Sequence, residues 1–435
     1  MMTISHIPVR MMFPVLTVTA LLLCCVDGVQ VLKAPTDKIV PESYLVHVKD
    51  STPPSELRKL INRLHEIDVT VPNCTAKVNG IMKNVAYGFT AMLSSDVLQQ
   101  VLHMNMVDYV EEDHFIYGGS ARHTMSWGLD RIDNNSNKLD KRFNVRCDLT
   151  GRGVDVYVLD TGVNYNHKEF SGKVRFSGCD PIDNLFGQQM LGRDCNGHGT
   201  HVAGIITGAS VGVATGVTLY SVRVLDCYKR GTLSTLIQGL ECVLNKANNR
   251  SHRRAVVNLS LYGSKEERSI ERAVWNLMNQ GVTVVTISGN IENKVTDSCK
   301  YTPSNIPGLI TVAATDKRNS SKDFVDVISP LTNGGACVDL FAPGTNINST
   351  STFCNNCYDI QSGSSMAAPF VTGSVALLLE QCPSLKPWEV KHLLLSKATA
   401  RNVIDFSRFS RHMQNLTPNL MLSLNNICEV KNNCK

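Results

Sequence analysis

The sequence lacks several features that would class it at once. Its charges nearly cancel: 43 Lys and Arg stand against 38 Asp and Glu, a net +5, and no long basic run concentrates them. That leaves no case for a nucleic-acid partner. Mean hydropathy is −0.06, and beyond the N-terminus no segment is long and apolar enough to span a bilayer, which excludes a multi-spanning membrane protein. Only 19% of residues are charged and 43% are hydrophobic, so the chain is not disordered and can bury a sizeable core. Its 435 residues allow about three domains of roughly 150 residues each. Cysteine, by contrast, is abundant at 15, an odd number.

The N-terminus sets the compartment. Arg10 precedes an apolar run, Met11 to Val26, and the small residue Gly28 follows. A charged start, a short apolar stretch and a small-residue exit predict a signal peptide over 1–28 and a secreted, extracellular protein not held by a membrane. In an oxidising compartment the cysteines are expected to pair. Sequons at Asn73, Asn134, Asn249, Asn258, Asn319, Asn348 and Asn415 agree with secretion. Asn258 lies in an apolar, strand-like run and is expected to stay unmodified.

Residues from about Val29 to Tyr117 read as a small α+β unit. Tyr44–Val48, Val85–Leu93 and Val107–Glu111 are strand-like; Ser55–His65 and Ser95–His103 have helical spacing, with Leu57, Leu60, Ile61 and Leu64 on one face. The pattern predicts a ferredoxin-like strand-helix-strand-strand-helix-strand unit. Gly118–Ser126 is polar and glycine-rich, a linker and a plausible processing region. Beyond Trp127, apolar β-branched runs (Val154–Leu159, Ala255–Leu261, Val282–Ile287, Leu309–Ala314, Val338–Phe341) alternate with helical patterns (Thr200–Thr207, Leu233–Ala247, Ile270–Gln280), and Ser365–Gln381 and Trp388–Lys397 add two more helices. This is the pattern of an α/β fold, a parallel sheet with helices on both faces. Its chemistry is expected beyond the carboxyl ends of the strands.

Three motifs occupy such positions: Asp160-Thr161-Gly162, then Asn196-Gly197-His198-Gly199-Thr200-His201 opening a helix, then Ser362-Gly363-Ser364-Ser365 opening another. An imidazole can take the proton of a serine attacking a carbonyl, and a carboxylate can fix its tautomer. Singly, each has an ordinary role as a turn or helix cap. His198 and His201 stand three apart with no evident third ligand, so zinc is not implied. Together, in the order Asp, His, Ser, they point to nucleophilic catalysis.

The chain resembles a subtilisin-like serine protease of the proteinase K branch, from Tyr44 to about Leu424. The resemblance rests on SYLVHVKD, AYGFTAMLS and YVEEDHFI, on WGLDRID, and on VYVLDTGVN, DCNGHGTHVAG, VRVLD, NLSL, GLITVAATD, CVDLFAPGT and SGSSMAAP. It implies Ser365 as nucleophile, His198 as base and acid, Asp160 as orienting carboxylate and Asn290 as oxyanion donor. It implies a monomeric zymogen with an inhibitory prosegment over 29–120, a catalytic domain over 121–424 and a tail over 425–435. Self-cleavage is expected between about Tyr117 and Thr124. The partners are protein or peptide substrates and the chain's own prosegment. A rival reading is a secreted binding protein that keeps its prosegment on a protease scaffold.

The resemblance has gaps at the two strands that hold peptide. One, usually Gly-Ser-Gly, is Lys229-Arg230-Gly231; the other, usually Ser-Leu-Gly-Gly, is Ser260-Leu261-Tyr262-Gly263. Before Gly289 stand Ile287 and Ser288 instead of alanines, and Phe370 and Thr372 replace a His and an Ala. Either these residues repack a wall, or they narrow the primary pocket toward small side chains under a basic rim.

Removing 1–28 discards Cys24 and Cys25, and removing the prosegment discards Cys74, leaving twelve. The resemblance implies bonds Cys195–Cys227, Cys299–Cys337 and Cys354–Cys357, leaves Cys147, Cys179, Cys242, Cys382, Cys428 and Cys434 unassigned, and expects a free Cys74. It also implies a structural Ca²⁺ on Pro307, Leu309 and Asp339.

Overall fold

The structure is a computed structural model that describes residues 29–33, 39–71, 74–118, 126–133, 139, 143, 149–187, 189–248, 254–263, 267–290, 295–319, 324–400, 404–425 and 427. The expected signal peptide, most of the linker, Cys147 and nearly all of the tail lie outside these residues.

The N-terminal unit contains β1 (Gln30–Leu32), β2 (Ile39–Val48), α1 (Pro54–Thr70), β3 (Ala76–Met82), β4 (Gly88–Leu93), α2 (Ser95–Leu102) and β5 (Val107–Gly118). Pro54 opens α1, where its missing N–H is harmless. Leu57, Leu60, Ile61 and Leu64 then bury one stripe of that helix. The strands form a sheet in the order β1-β5-β2-β4-β3. Alternation alone ends the last strand at Glu111, yet β5 runs to Gly118. Its final residues are paired by the rest of the chain, which local sequence does not reveal.

The larger unit opens with α3 (Trp127–Ile132), followed by β6 (Val154–Asp160), β7 (Val174–Phe176), α4 (Pro181–Phe186), α5 (His198–Thr207), β8 (Thr218–Arg223), β9 (Arg230–Thr232), α6 (Leu233–Asn248), β10 (Arg254–Leu259), β11 (Leu261–Tyr262), α7 (Arg268–Asn279) and β12 (Thr283–Ile287). Then come β13 (Ile310–Asn319), β14 (Phe324–Ile328), β15 (Leu340–Pro343), the hairpin β16 (Ile347–Thr350) and β17 (Tyr358–Gln361), α8 (Ser364–Gln381) and α9 (Pro387–Lys397). The core sheet runs β15-β13-β12-β10-β6-β8-β7 with every neighbour parallel.

Both faces of that sheet are covered, which explains its unbroken apolar strands. Along β6, Val156 and Val158 join the core under α5 and α8, while Tyr157 and Leu159 join the core under α6 and α7. Leu45, Met82, Val85 and Ala86 of the N-terminal unit belong to that second core. The two units therefore share buried apolar surface. On the other side, the fully buried Arg131 of α3 pairs with Asp326 of β14 at 2.8 Å, tying the start of the larger unit to its sheet. Among the described residues, no helix is long and apolar enough to cross a membrane.

Candidate active site

Asp160 is the last residue of β6, and its main-chain carbonyl accepts from Val224 and Leu225 N–H at 2.9 and 3.1 Å. Its carboxylate Oδ1 accepts from Thr161 N–H at 2.7 Å and lies 2.8 Å from His198 Nδ1. Both side chains are buried. His198 is the first residue of α5, and Gly199 behind it packs on Gly162 and Asp160: a Cβ there would meet Gly162 O at 2.2 Å and Asp160 Cβ at 3.1 Å. The loop before His198 is held by a residue that local motif reading leaves without a role. The carboxylate of Asp194 accepts from Thr161 Oγ1, Asn196 N, Gly197 N, Thr200 N and Thr200 Oγ1 at 2.6–2.9 Å.

Ser365 stands in the first turn of α8, at the positive end of the helix dipole. Gly363 precedes it with φ 143°, and a Cβ there would come within 2.7 Å of Asn290 Nδ2. Asn290 Oδ1 accepts from Ser364 N and Oγ, both at 2.8 Å, which aims Nδ2 away from Ser364. Ser365 Oγ donates to Ser260 O at 3.3 Å, and Ser260 Oγ donates back to Ser365 O at 3.0 Å. Three buried atoms here, Asp160 Oδ2, His198 Nε2 and Asn290 Nδ2, have no hydrogen-bond partner among the described residues. Unpartnered buried polar atoms are costly, so these three, beside the first turns of α5 and α8, are candidates to bond a ligand.

Next to this site, the end of β5 lies between β9 and β11. Phe115, Ile116 and Tyr117 pair antiparallel with Thr232, Gly231 and Arg230, and Tyr117 and Gly118 pair with Tyr262 and Leu261. Two buried acids of β5 secure it. Asp113 accepts from Ser234 N at 2.8 Å at the start of α6, and Glu111 accepts from Ser269 N at 2.9 Å at the start of α7. Helix N-termini offer unpaired N–H groups and positive potential, so carboxylates fit there. Burial pushes the Glu111 carboxyl up to about 8 against the pull of the Ser269 N–H. His114 bonds Glu267, His47 bonds Ser269 at 2.8 Å, and Glu241 accepts from Asn84 and Val85 N–H at 2.9–3.1 Å.

The remaining expected substrate positions fall as follows. The Arg230 guanidinium is already engaged by Asp226, at 2.9 and 3.1 Å. Lys229 sits in a left-handed conformation in the turn before it. Gly263 N–H donates to Thr302 O at 2.7 Å. Tyr262 donates its hydroxyl to Asn290 O at 3.0 Å and packs edge-on to Tyr301. Ile287 is fully buried in the main core. Ser288 bonds Thr332 at 2.9 Å, and Gly289 has φ 89°. Asn258 is buried and bonded to Ser260 and Thr372, with no access for a glycan.

Cys195–Cys227, Cys299–Cys337 and Cys354–Cys357 are bonded, as is Cys179–Cys242, which sequence left open. Cys382 is also in a disulfide, and Cys74 is free. Cys428 and Cys434 lie outside the described residues. The three expected calcium positions do not form an open cation site. Pro307 is exposed, and between the Leu309 carbonyl and Asp339 lies the ammonium of Lys391. Among the described residues no group of three or more His, Cys, Asp or Glu is arranged to hold a metal.

A carboxylate–imidazole pair, a helix-borne serine and an unpartnered amide on a parallel sheet are parts that serine-peptidase chemistry uses, and the chain's similarity to known proteins places it in that class. Residues 151–415 match the model of the Subtilase family. The chain is 38% identical over 344 residues to the extracellular serine proteinase of Thermus sp. (strain Rt41A), covering 79% of this chain and 78% of that protein. It is 33% identical to mouse proprotein convertase subtilisin/kexin type 9, covering 88% of this chain, and 37% identical to alkaline serine exoprotease A of Vibrio alginolyticus, covering 76%. It spans only 54% and 58% of those two relatives. A solved cold-adapted subtilisin-like serine proteinase is 38% identical, with TM-score 0.58, over 69% of this chain and 98% of that one. Fervidolysin of Fervidobacterium pennivorans shares the fold at TM-score 0.69 and 22% identity, over 93% of this chain and 63% of its own. The chain belongs to the subtilase family of serine peptidases.

His201, one turn after His198, faces two backbone carbonyls. Its buried Nε2 lies 3.0 and 3.2 Å from the carbonyls of Ile347 and Asp359 and so carries the proton. Burial, helped by His198, depresses its pKa to about 3. An unfolded histidine titrates near 6.5. The unfolded chain thus gains a proton that the folded chain refuses, and stability is lost as pH falls from about 6.5 toward 3. Denaturant melts at pH about 7.5 and 4.5 are expected to show His201→Gln losing less stability than wild type between the two. An unchanged pH dependence would contradict this account of His201.

Proposed function

We propose that the chain is a secreted serine endopeptidase, made as a zymogen, that hydrolyses peptide bonds through an acyl-enzyme on Ser365. Support comes above all from the Asp160–His198 pair at 2.8 Å and from the unpartnered His198 Nε2 and Asn290 Nδ2. In acylation, Ser365 Oγ attacks the scissile carbonyl and passes its proton to His198 Nε2, while Asp160 holds Nδ1–H and stabilises the imidazolium. The oxyanion accepts from Asn290 Nδ2 and from the Ser365 N–H; losing one such donor costs about 10²–10³ in turnover. His198 then returns the proton to the leaving amine, and water repeats the cycle on the ester. Peptides add as a strand between β9 and β11, the place that β5 takes in the uncut chain.

The unit over 29–120 is then an inhibitory prosegment, and 121–424 is the catalytic domain. Tyr117 lies opposite Tyr262 and Gly118 opposite Leu261, and the carbonyl of the neighbouring Ser260 accepts from Ser365 Oγ, which supports a cut in the processing region between about Tyr117 and Thr124. Secretion would leave Asn319 and Asn415, both exposed, open to glycosylation. N-terminal sequencing of secreted protein should find wild type beginning within that region and Ser365→Ala unprocessed. Processing of Ser365→Ala expressed alone would contradict self-cleavage, and a wild-type start outside that region would contradict the docking of the strand. The rival binding-protein reading requires wild type also to keep its prosegment.

Tyr262 is proposed as the specificity residue. Where relatives of this branch carry glycine, its ring spans from the substrate strand to the Asn290 loop, so added volume selects small side chains on the acyl side of the cut. Arg230, being engaged by Asp226, adds less to a basic rim than its charge alone implies. Peptide-library profiling is expected to show a preference for small residues in wild type and wider acceptance in Tyr262→Gly. Equal cleavage after large aromatic and small residues by wild type would sink this assignment.

A further inference from the structure

The cation expected at the joint of Pro307, Leu309 and Asp339 has a protein-borne substitute. Lys391 of α9 places Nζ 2.8 Å from Leu309 O and 2.8 Å from Asp339 Oδ1. The other oxygen, Asp339 Oδ2, accepts from Thr311 N–H at 2.9 Å. The carboxylate is thus satisfied on both sides, and the Leu309 carbonyl is taken. A Ca²⁺ ion needs these same oxygens at about 2.3–2.6 Å together with several more. It would lie against the ammonium, and among the described residues no group of three or more His, Cys, Asp or Glu is arranged there to offset the added charge.

The ammonium joins three segments: the turn leading into β13, the residue before β15, and the middle of α9. A metal on these oxygens would join the first two in the same way. The joint bears on the substrate cleft, because the segment running back from Leu309 holds Ser304, which donates to Ile287 O at 2.8 Å, and Thr302 and Tyr301, which contact Gly263 and Tyr262. The far wall of the pocket is therefore moored to α9.

We infer that Lys391 acts as a built-in cation in place of calcium, closing this joint without metal. Proteolysis plays no part in the test, which uses the full chain as Ser365→Ala to prevent self-digestion. Thermal melts are compared in excess EDTA and in millimolar CaCl₂. The difference between the two melting temperatures should be the same with and without Asp339→Asn, because no calcium depends on Asp339. Lys391→Ala should melt roughly 3–6 °C lower in EDTA, and calcium should raise its melting temperature but not that of Lys391→Ala/Asp339→Asn. Lys391→Met, which keeps the aliphatic stem, supplies the same reading if the alanine variant does not fold. A calcium-dependent rise in the protein with Lys391 intact that Asp339→Asn abolishes would overturn the inference. So would an unchanged melting temperature on removing the ammonium.

Discussion

A strand needs partners for its backbone, and the last residues of Val107–Gly118 find theirs on both edges in the larger unit. Among the described residues, Arg230–Thr232 and Leu261–Tyr262 have that strand as their β-ladder partner. This pairing decides where the N-terminal unit docks. Glu111 and Asp113, two residues apart and so on one face of the strand, meet the N-termini of two helices. Apolar residues of the small sheet then complete the core beneath those helices. Under the proposed function, the groove that holds the chain together is the one a peptide substrate would fill, and inhibition and recognition would share one geometry.

Much of this was legible in the sequence. Apolar, β-branched runs buried on both faces announced a parallel sheet, and the polar residues closing Val154–Asp160 and opening the helices at His198 and Ser364 announced chemistry. Less legible was whatever depends on partners far along the chain. Val107–Gly118 looked short because its last residues satisfy their hydrogen bonds with segments more than a hundred residues away. Asp194 sat inside a recognised motif, but only folding brings five donors to its carboxylate. Nothing local marked Glu111 or Asp113, whose partners are the N-termini of two helices far along the chain. Cys179 and Cys242 showed no spacing that would pair them.

The departures from the family pattern separate into different physical classes. Ile287 fills core, a local repacking with no exposed consequence. Tyr262 bonds the main chain of Asn290 and so ties the strand Leu261–Tyr262 to the residue proposed as oxyanion donor. Apart from these departures, Lys391 supplies a positive charge from a helix where a soluble ion was expected. Residue identity at Pro307, Leu309 and Asp339 could not reveal it, because Lys391 lies more than fifty residues downstream of them.

The central claim is that Ser365 is an activated nucleophile covered by the chain's own strand. A time course of labelling with a serine-directed fluorophosphonate, followed alongside loss of the N-terminal unit, tests it most directly. The account predicts that label accumulates on Ser365 only as that unit departs, and that His198→Ala abolishes labelling in protein freed of it. Prosegment-free protein that stays unlabelled, or an uncut chain that labels as fast as the cut one, would contradict it.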